Sequence, residues 1–174
     1  MKAPFLLFGL SLLLVGGCSE SVDNTAPTVP APQAAPAVQT GRPGFAAVDF
    51  ERLLAADSEP GQWMSTGRTY GEQHYSPLAA INRDNVANLS LAWYADFNIA
   101  RGQESTPLVA DGVLYVTTAW SNVLAFNAAT GESLWRFDAQ VPREWGVCAC
   151  CDVVNRGAAL WNGKVYVGTI DGRL

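Results

Sequence analysis

The amino-acid sequence predicts an all-β fold, a β-propeller of which this chain supplies about one and a half blades. Three observations carry that expectation. Short β-rich runs follow one another from Leu89 onward, turn pairs separate them, and the runs repeat. Gly112-Val113-Leu114-Tyr115-Val116-Thr117-Thr118 matches Gly163-Lys164-Val165-Tyr166-Val167-Gly168-Thr169 at an offset of 163 − 112 = 51. A period of about 50 residues built from short strands is a blade signature. Each such unit is an antiparallel sheet that cannot cover both faces alone, so further repeats are expected.

The first element, residues 1–18, reads as a signal peptide. Lys2 supplies its positive start, and Phe5 to Val15 form an apolar run of eleven residues. A transmembrane helix needs about 20. The run ends Leu14-Val15-Gly16-Gly17-Cys18, which is similar to a bacterial lipobox. That similarity implies cleavage before Cys18 and a thioether-linked lipid on it, with ordinary signal-peptidase cleavage nearby as the alternative. Residues 19–45 hold Ala26-Pro27, Val29-Pro30-Ala31-Pro32 and Ala35-Pro36, with no aromatic before Phe45. Such a stretch buries too little apolar surface to fold and reads as a semi-extended tether. The expected protein is therefore exported to the periplasmic side and held at a membrane through the lipid.

Residues 46–174 read as the folded body. Phe50 to Ala56 is expected to be a short helix, closed by the turn Asp57-Ser58-Glu59-Pro60-Gly61. Strands are expected at 89–94, 113–118, 123–126, 133–137 and 164–169. Turns fall at Asp111-Gly112, Thr130-Gly131, Asn162-Gly163 and Asp171-Gly172. The second repeat stops at Gly172-Arg173-Leu174, in the register of Ser121-Asn122-Val123. The chain therefore reads as the N-terminal part of a longer protein, inactive by itself.

Composition narrows the function. The chain has 174 residues, 49% hydrophobic and 16% charged, which suits a globular body. Its net charge of −5 gives no basic patch for nucleic acid. The chemically informative stretch is Glu144-Trp145-Gly146-Val147-Cys148-Ala149-Cys150-Cys151-Asp152-Val153-Val154-Asn155-Arg156-Gly157. Bridging neighbouring cysteines is strained, because consecutive Cα atoms lie about 3.8 Å apart and disulfides favour about 4.4–6.8 Å. Such a ring adds almost no loop-closure entropy, so a rigid, flat, polarizable surface is a better reason for it than stability. Cys148 to Cys151 is formally C-x-x-C, but a thiol oxidoreductase wants a βαβ setting and the surroundings are β only. A zinc cluster is weak, since His74 is the one histidine and lies far off in sequence.

Cys150-Cys151-Asp152-Val153-Val154-Asn155-Arg156-Gly157 resembles the signature of the pyrroloquinoline quinone (PQQ) dependent alcohol dehydrogenases, including the quinohaemoprotein type. Arg101-Gly102-Gln103-Glu104-Ser105-Thr106-Pro107 and Gly67-Arg68-Thr69-Tyr70-Gly71-Glu72-Gln73-His74-Tyr75-Ser76-Pro77-Leu78 are similar to the same family. The resemblance runs from about Val48 to Leu174. It implies a propeller of PQQ-type repeats in which Trp135 stacks between blades as a structural residue. It implies a Cys150–Cys151 disulfide packed on the quinone face, and Cys148, where the sequence departs from the family, as an odd thiol. A Cys148–Cys151 bridge closes a less strained ring and stays open as the alternative.

Arg156 is the implied ligand of a cofactor oxygen, its guanidinium fork suiting a carboxylate. Glu104 is the implied cofactor contact, either sharing a proton with the anionic ligand or pairing with Arg156. The implied reaction is hydride transfer from a small-molecule alcohol to the quinone, with Ca²⁺ polarising the carbonyl. The Asp base and the calcium ligands belong to later blades in the family, so no catalytic residue and no metal ligand is assigned here, Asp152 included. A cytochrome c-type electron acceptor is implied. There is no C-x-x-C-H for covalent haem, and a haem c domain would have to follow this stretch. The competing expectation is a non-catalytic propeller lipoprotein acting as an outer-membrane assembly scaffold, which needs neither the vicinal cysteines nor Arg156 and Glu104.

Overall fold

The structure is a computed structural model that describes residues 44–174. The signal peptide, Cys18 and all of the tether up to residue 43 lie outside the described residues. Among the described residues no helix is long and apolar enough to cross a membrane.

A leader precedes the sheet. Helix α1 (Phe50–Leu54) starts where the Asp49 carboxylate accepts the Arg52 backbone N–H at 2.8 Å, with Glu51 in the first turn. A single 3-10 turn, Ala56–Ser58, follows. Arg52 is buried and forks onto Glu59, donating at 2.8 and 2.6 Å, while a further N–H reaches Asp111 at 2.9 Å. The two carboxylates hold the Arg52 guanidinium charged well above its ordinary range. Through Asp111 the leader is tied to the first hairpin turn.

Six strands follow: β1 (Leu108–Ala110), β2 (Val113–Thr118), β3 (Asn122–Asn127), β4 (Ser133–Phe137), β5 (Ala159–Trp161) and β6 (Lys164–Tyr166). The first four form one antiparallel sheet in sequence order, a single blade, and β5 and β6 form a separate hairpin. The blade and half-blade expected from the repeat are both present. Their register agrees too. Leu108 faces Tyr115 and Ala159 faces Tyr166, each shifted by 159 − 108 = 166 − 115 = 51. Both hairpins turn on two left-handed residues, Asp111-Gly112 (φ 57° and 78°) and Asn162-Gly163 (φ 47° and 76°). That backbone matches strand twist, and Gly adopts it without strain.

Alternation divides the blade into two faces. Val113, Tyr115 and Ala125 face a core shared with Ala46, Val48 and Met64 of the leader and Leu160 of the second hairpin. Burial in that core pushes the Tyr115 phenol up to about 12. Val116, Leu124 and Phe126 face the other way, onto Trp93, Ala95 and Phe97. Trp135 on β4 packs against Tyr115 with ring centroids 6.0 Å apart. It also lines an apolar groove of about 400 Å³ with Val165 and Val167 of the second repeat, the inter-blade position expected of it.

Two strand expectations need correction. Leu89 to Tyr94 pairs with no strand among the described residues, and Leu89, Leu91 and Tyr94 are exposed. Its β-rich alternation instead lays Trp93, Ala95 and Phe97 across the blade face, where the Trp93 indole N–H donates to the Ala128 carbonyl at 3.1 Å. The expected strand 164–169 is paired only over Lys164–Tyr166, a three-residue ladder like that of β2 with β1, and no strand on its other side is among the described residues.

Candidate functional site

The repeat itself assembles the site. Residues 101–106 lead into β1 and residues 152–157 lead into β5, the equivalent strand one repeat later. Equivalent segments of neighbouring blades lie side by side at one end of a propeller's channel. Here the Thr106 backbone N–H donates to the Arg156 carbonyl at 3.0 Å. Residues about 50 apart in sequence thereby become neighbours.

Side chains then pair across the two segments. Arg156 Nη2 lies 3.0 Å from Glu104 Oε2, with the side chains 71% and 45% exposed. The structure thus brings Glu104 within ion-pair distance of Arg156. Arg101 Nη2 lies 3.1 Å from Asp152 Oδ1. Asp152 sits in the left-handed region (φ 68°), and its other oxygen accepts the Gly102 N–H at 3.4 Å. Hydrogen bonding from the Val153 backbone N–H, then from Gly102, then the Arg101 charge hold the Asp152 carboxyl below the ordinary carboxylate range. Gly102 is packed so closely that an added Cβ would lie 2.9 Å from a Val154 methyl.

Sulfur lies beside these pairs. Cys148 ends a 3-10 segment, Arg143–Cys148, and Cys148, Cys150 and Cys151 are all exposed. Cys150 Sγ and Cys151 Sγ lie 2.8 Å apart. Contact with the Cys150 thiol pushes the Cys151 thiol up, with Arg156 acting in the opposite sense and Glu104 in the same one. Glu104 and Arg156 thus pair with each other, Cys150 and Cys151 touch, and the charges of the first pair reach Cys151. Cys18 lies outside the described residues. Among the described residues no three His, Cys, Asp or Glu side chains converge as a metal site.

Sequence reasoning missed the residues that hold the platform. Asn155 donates to the Gly168 carbonyl at 2.9 Å and the Ser121 hydroxyl at 3.2 Å, and its Oδ1 accepts the Gly157 N–H at 3.1 Å. Thr117 is buried; its N–H donates to Ser105 Oγ at 3.0 Å and its carbonyl accepts from Gln103 at 2.6 Å. Trp120 takes a left-handed conformation (φ 65°), uncommon for a bulky side chain. It is held there by its N–H to the Val153 carbonyl at 2.9 Å and by the Arg143 guanidinium 4.0 Å from its ring centroid. Asn155 lies inside the Cys150–Gly157 motif and was open to a positioning role from sequence. Trp120 and Arg143 carried no such signal.

A propeller blade followed by the first hairpin of the next, with charged and sulfur-bearing side chains gathered where their first strands begin, defines part of a propeller protein. Comparison with known proteins makes the class specific. Residues 63–174 match the family model described as PQQ, glucose/ethanol/alcohol dehydrogenase, beta-propeller domain, and the chain belongs to that family. It is 61% identical over 124 residues to the dehydrogenase subunit of an alcohol dehydrogenase (quinone) from Komagataeibacter europaeus, covering 71% of this chain and 17% of the relative. Against the quinohemoprotein alcohol dehydrogenase of Comamonas testosteroni it is 45% identical over 166 residues, 95% of this chain and 22% of the relative. The solved quinohemoprotein alcohol dehydrogenase ADHIIG of Pseudomonas putida HK5 superposes with a TM-score of 0.70 at 54% identity, covering 71% of this chain and 18% of that one. The chain thus spans about a fifth of the length of these relatives.

Proposed function

We propose that this sequence is the N-terminal, cofactor-facing part of a PQQ-dependent alcohol dehydrogenase working on the periplasmic side of a membrane. The observation that carries the reading is the juxtaposition of Cys150 and Cys151 with the Glu104–Arg156 pair. The donor set fits a planar ligand bearing carboxylates. An exposed ion pair is worth only about 0–1 kcal/mol, so Arg156 has N–H donors to turn toward a second acceptor while keeping Glu104. Glu104 then neutralises part of the Arg156 charge and fixes its orientation. Cys150 and Cys151, joined as a disulfide, form a stiff apolar lid over one face of the ring, with Cys148 remaining a thiol.

When bound, the quinone supplies the hydride acceptor that no side chain of this chain offers. The proposed Ca²⁺ site and the base that deprotonates the alcohol lie on later repeats, and a cytochrome c-type protein takes the electrons, with haem c in a further domain a variant of the same scheme. Cys18 carries the lipid that holds the protein at the membrane. The test is PQQ titration of the complete gene product, followed by quenching of tryptophan fluorescence. Arg156→Ala is expected to weaken binding at least about tenfold, the loss of a charge-assisted contact. Unchanged affinity in Arg156→Ala and in a Cys150→Ser, Cys151→Ser double variant would overturn the reading.

A further inference from the structure

The two ion pairs that join the repeats run in opposite polarity. Arg101 meets Asp152 and Glu104 meets Arg156, so the cation precedes the anion on the first segment and follows it on the second. The offsets are 152 − 101 = 51 and 156 − 104 = 52, so the first pair keeps the register of the repeat and the second lies one residue from it. The two arginines differ in exposure, 48% for Arg101 and 71% for Arg156. Arg156 is the more exposed arginine and lies near the cysteines, whereas Arg101 is committed to Asp152, whose second oxygen is occupied by the Gly102 N–H. Asp152 directly follows Cys151, takes a left-handed φ of 68°, and forms a bridge with Cys150. Its backbone conformation therefore sets the turn that presents both sulfurs.

We propose that Arg101 and Asp152 are positioning residues: an inter-repeat clasp that holds the Cys150-Cys151 turn in place independently of the Glu104–Arg156 pair, so that Arg156 can engage a ligand without the cysteine platform losing its register. The inference deepens the proposed function and rests on its vicinal disulfide. No contact between the clasp and the cofactor is required.

The test is the thiol–disulfide equilibrium of the pair in the complete protein, equilibrated with oxidised and reduced glutathione. Forming the bridge removes two electrons and two protons from the thiols of Cys150 and Cys151. One oxidised glutathione takes them up and leaves as two reduced molecules. Arg101→Gln and Asp152→Asn change the local charge in opposite senses, and Asn tolerates the left-handed backbone. A through-space charge effect on the thiols therefore shifts the equilibrium in opposite directions in the two variants. Loss of positioning shifts it the same way, toward the thiols, by roughly threefold, the size an exposed ion pair supports. Arg101→Lys is expected to restore it. Opposite shifts, no shift in either variant, or a wild-type protein oxidised without a Cys150–Cys151 bridge overturns the clasp. A shift as expected in a protein that does not bind PQQ overturns the cofactor reading and leaves the clasp standing. PQQ binding with an unmoved equilibrium overturns the clasp alone.

Discussion

The two copies of the repeat start from nearly the same words and end in different environments. Tyr115 and Tyr166 are equivalent, 51 residues apart, each facing the first residue of the preceding strand. Tyr115 is 1% exposed within the blade core, while Tyr166 is half-buried at the rim of an apolar groove. On the first copy, β2 pairs along three residues with β1 and along six with β3; on the second, β6 pairs along three with β5, and no equivalent of β3 is among the described residues. Local sequence sets a strand's propensity and turn, whereas its partners set its length and burial.

Truncating the two tyrosines measures that difference. Tyr115→Ala should cost about 4 kcal/mol, the range for a large buried aromatic, while Tyr166→Ala should cost less than half as much. Urea unfolding of the two variants checks this, and equal losses would remove the contrast. Next in size is Arg52→Ala, which leaves Glu59 and Asp111 without their buried partner and should cost about 3 kcal/mol. It should also release the first hairpin turn from the leader, seen as faster amide exchange around Asp111, with Asn162 unaffected.

Gly102→Ala probes the contact between repeats. Its Cβ would press on Val154, so about 1 kcal/mol is expected, the low end for overpacking against a movable methyl. Glu104→Gln is the smallest change. The exposed pair should contribute less than about 1 kcal/mol, and salt should erase the difference from wild type. The pH dependence sharpens the same contrast between the two ion pairs. Asp152 is held below its ordinary value of 3.8, so its contribution to stability is fully present above that value. It is lost as the pH falls through the lower folded value, because the unfolded chain takes up the proton first. Asp152→Asn should flatten the acid limb of a stability profile; an unchanged limb would remove the carboxylate from the account.

Part of this architecture is legible in the sequence alone. Asp111-Gly112 and Asn162-Gly163 announce hairpins because two left-handed residues suit the turn, a wholly local demand. The offset of 51 announces equivalent strands because each blade needs the same alternation on its neighbours. Cys150 and Cys151 stand out by their adjacency, whereas Glu104 and Arg156 stand out through the resemblance of their segments to a known family. The tertiary structure decided what depends on partners. Leu89 to Tyr94 has the composition of a strand, yet alternation states only which residues share a face, and this face lies across the blade without joining its ladder. Arg101 and Asp152 are ordinary charged residues in sequence; they become a clasp only when two blades bring their leading segments together. Hydrophobic period and turn chemistry act over a few neighbouring residues, so the chain itself encodes them. Pairing between repeats depends on the packing of segments about 50 residues apart, and only the assembled sheet determines it.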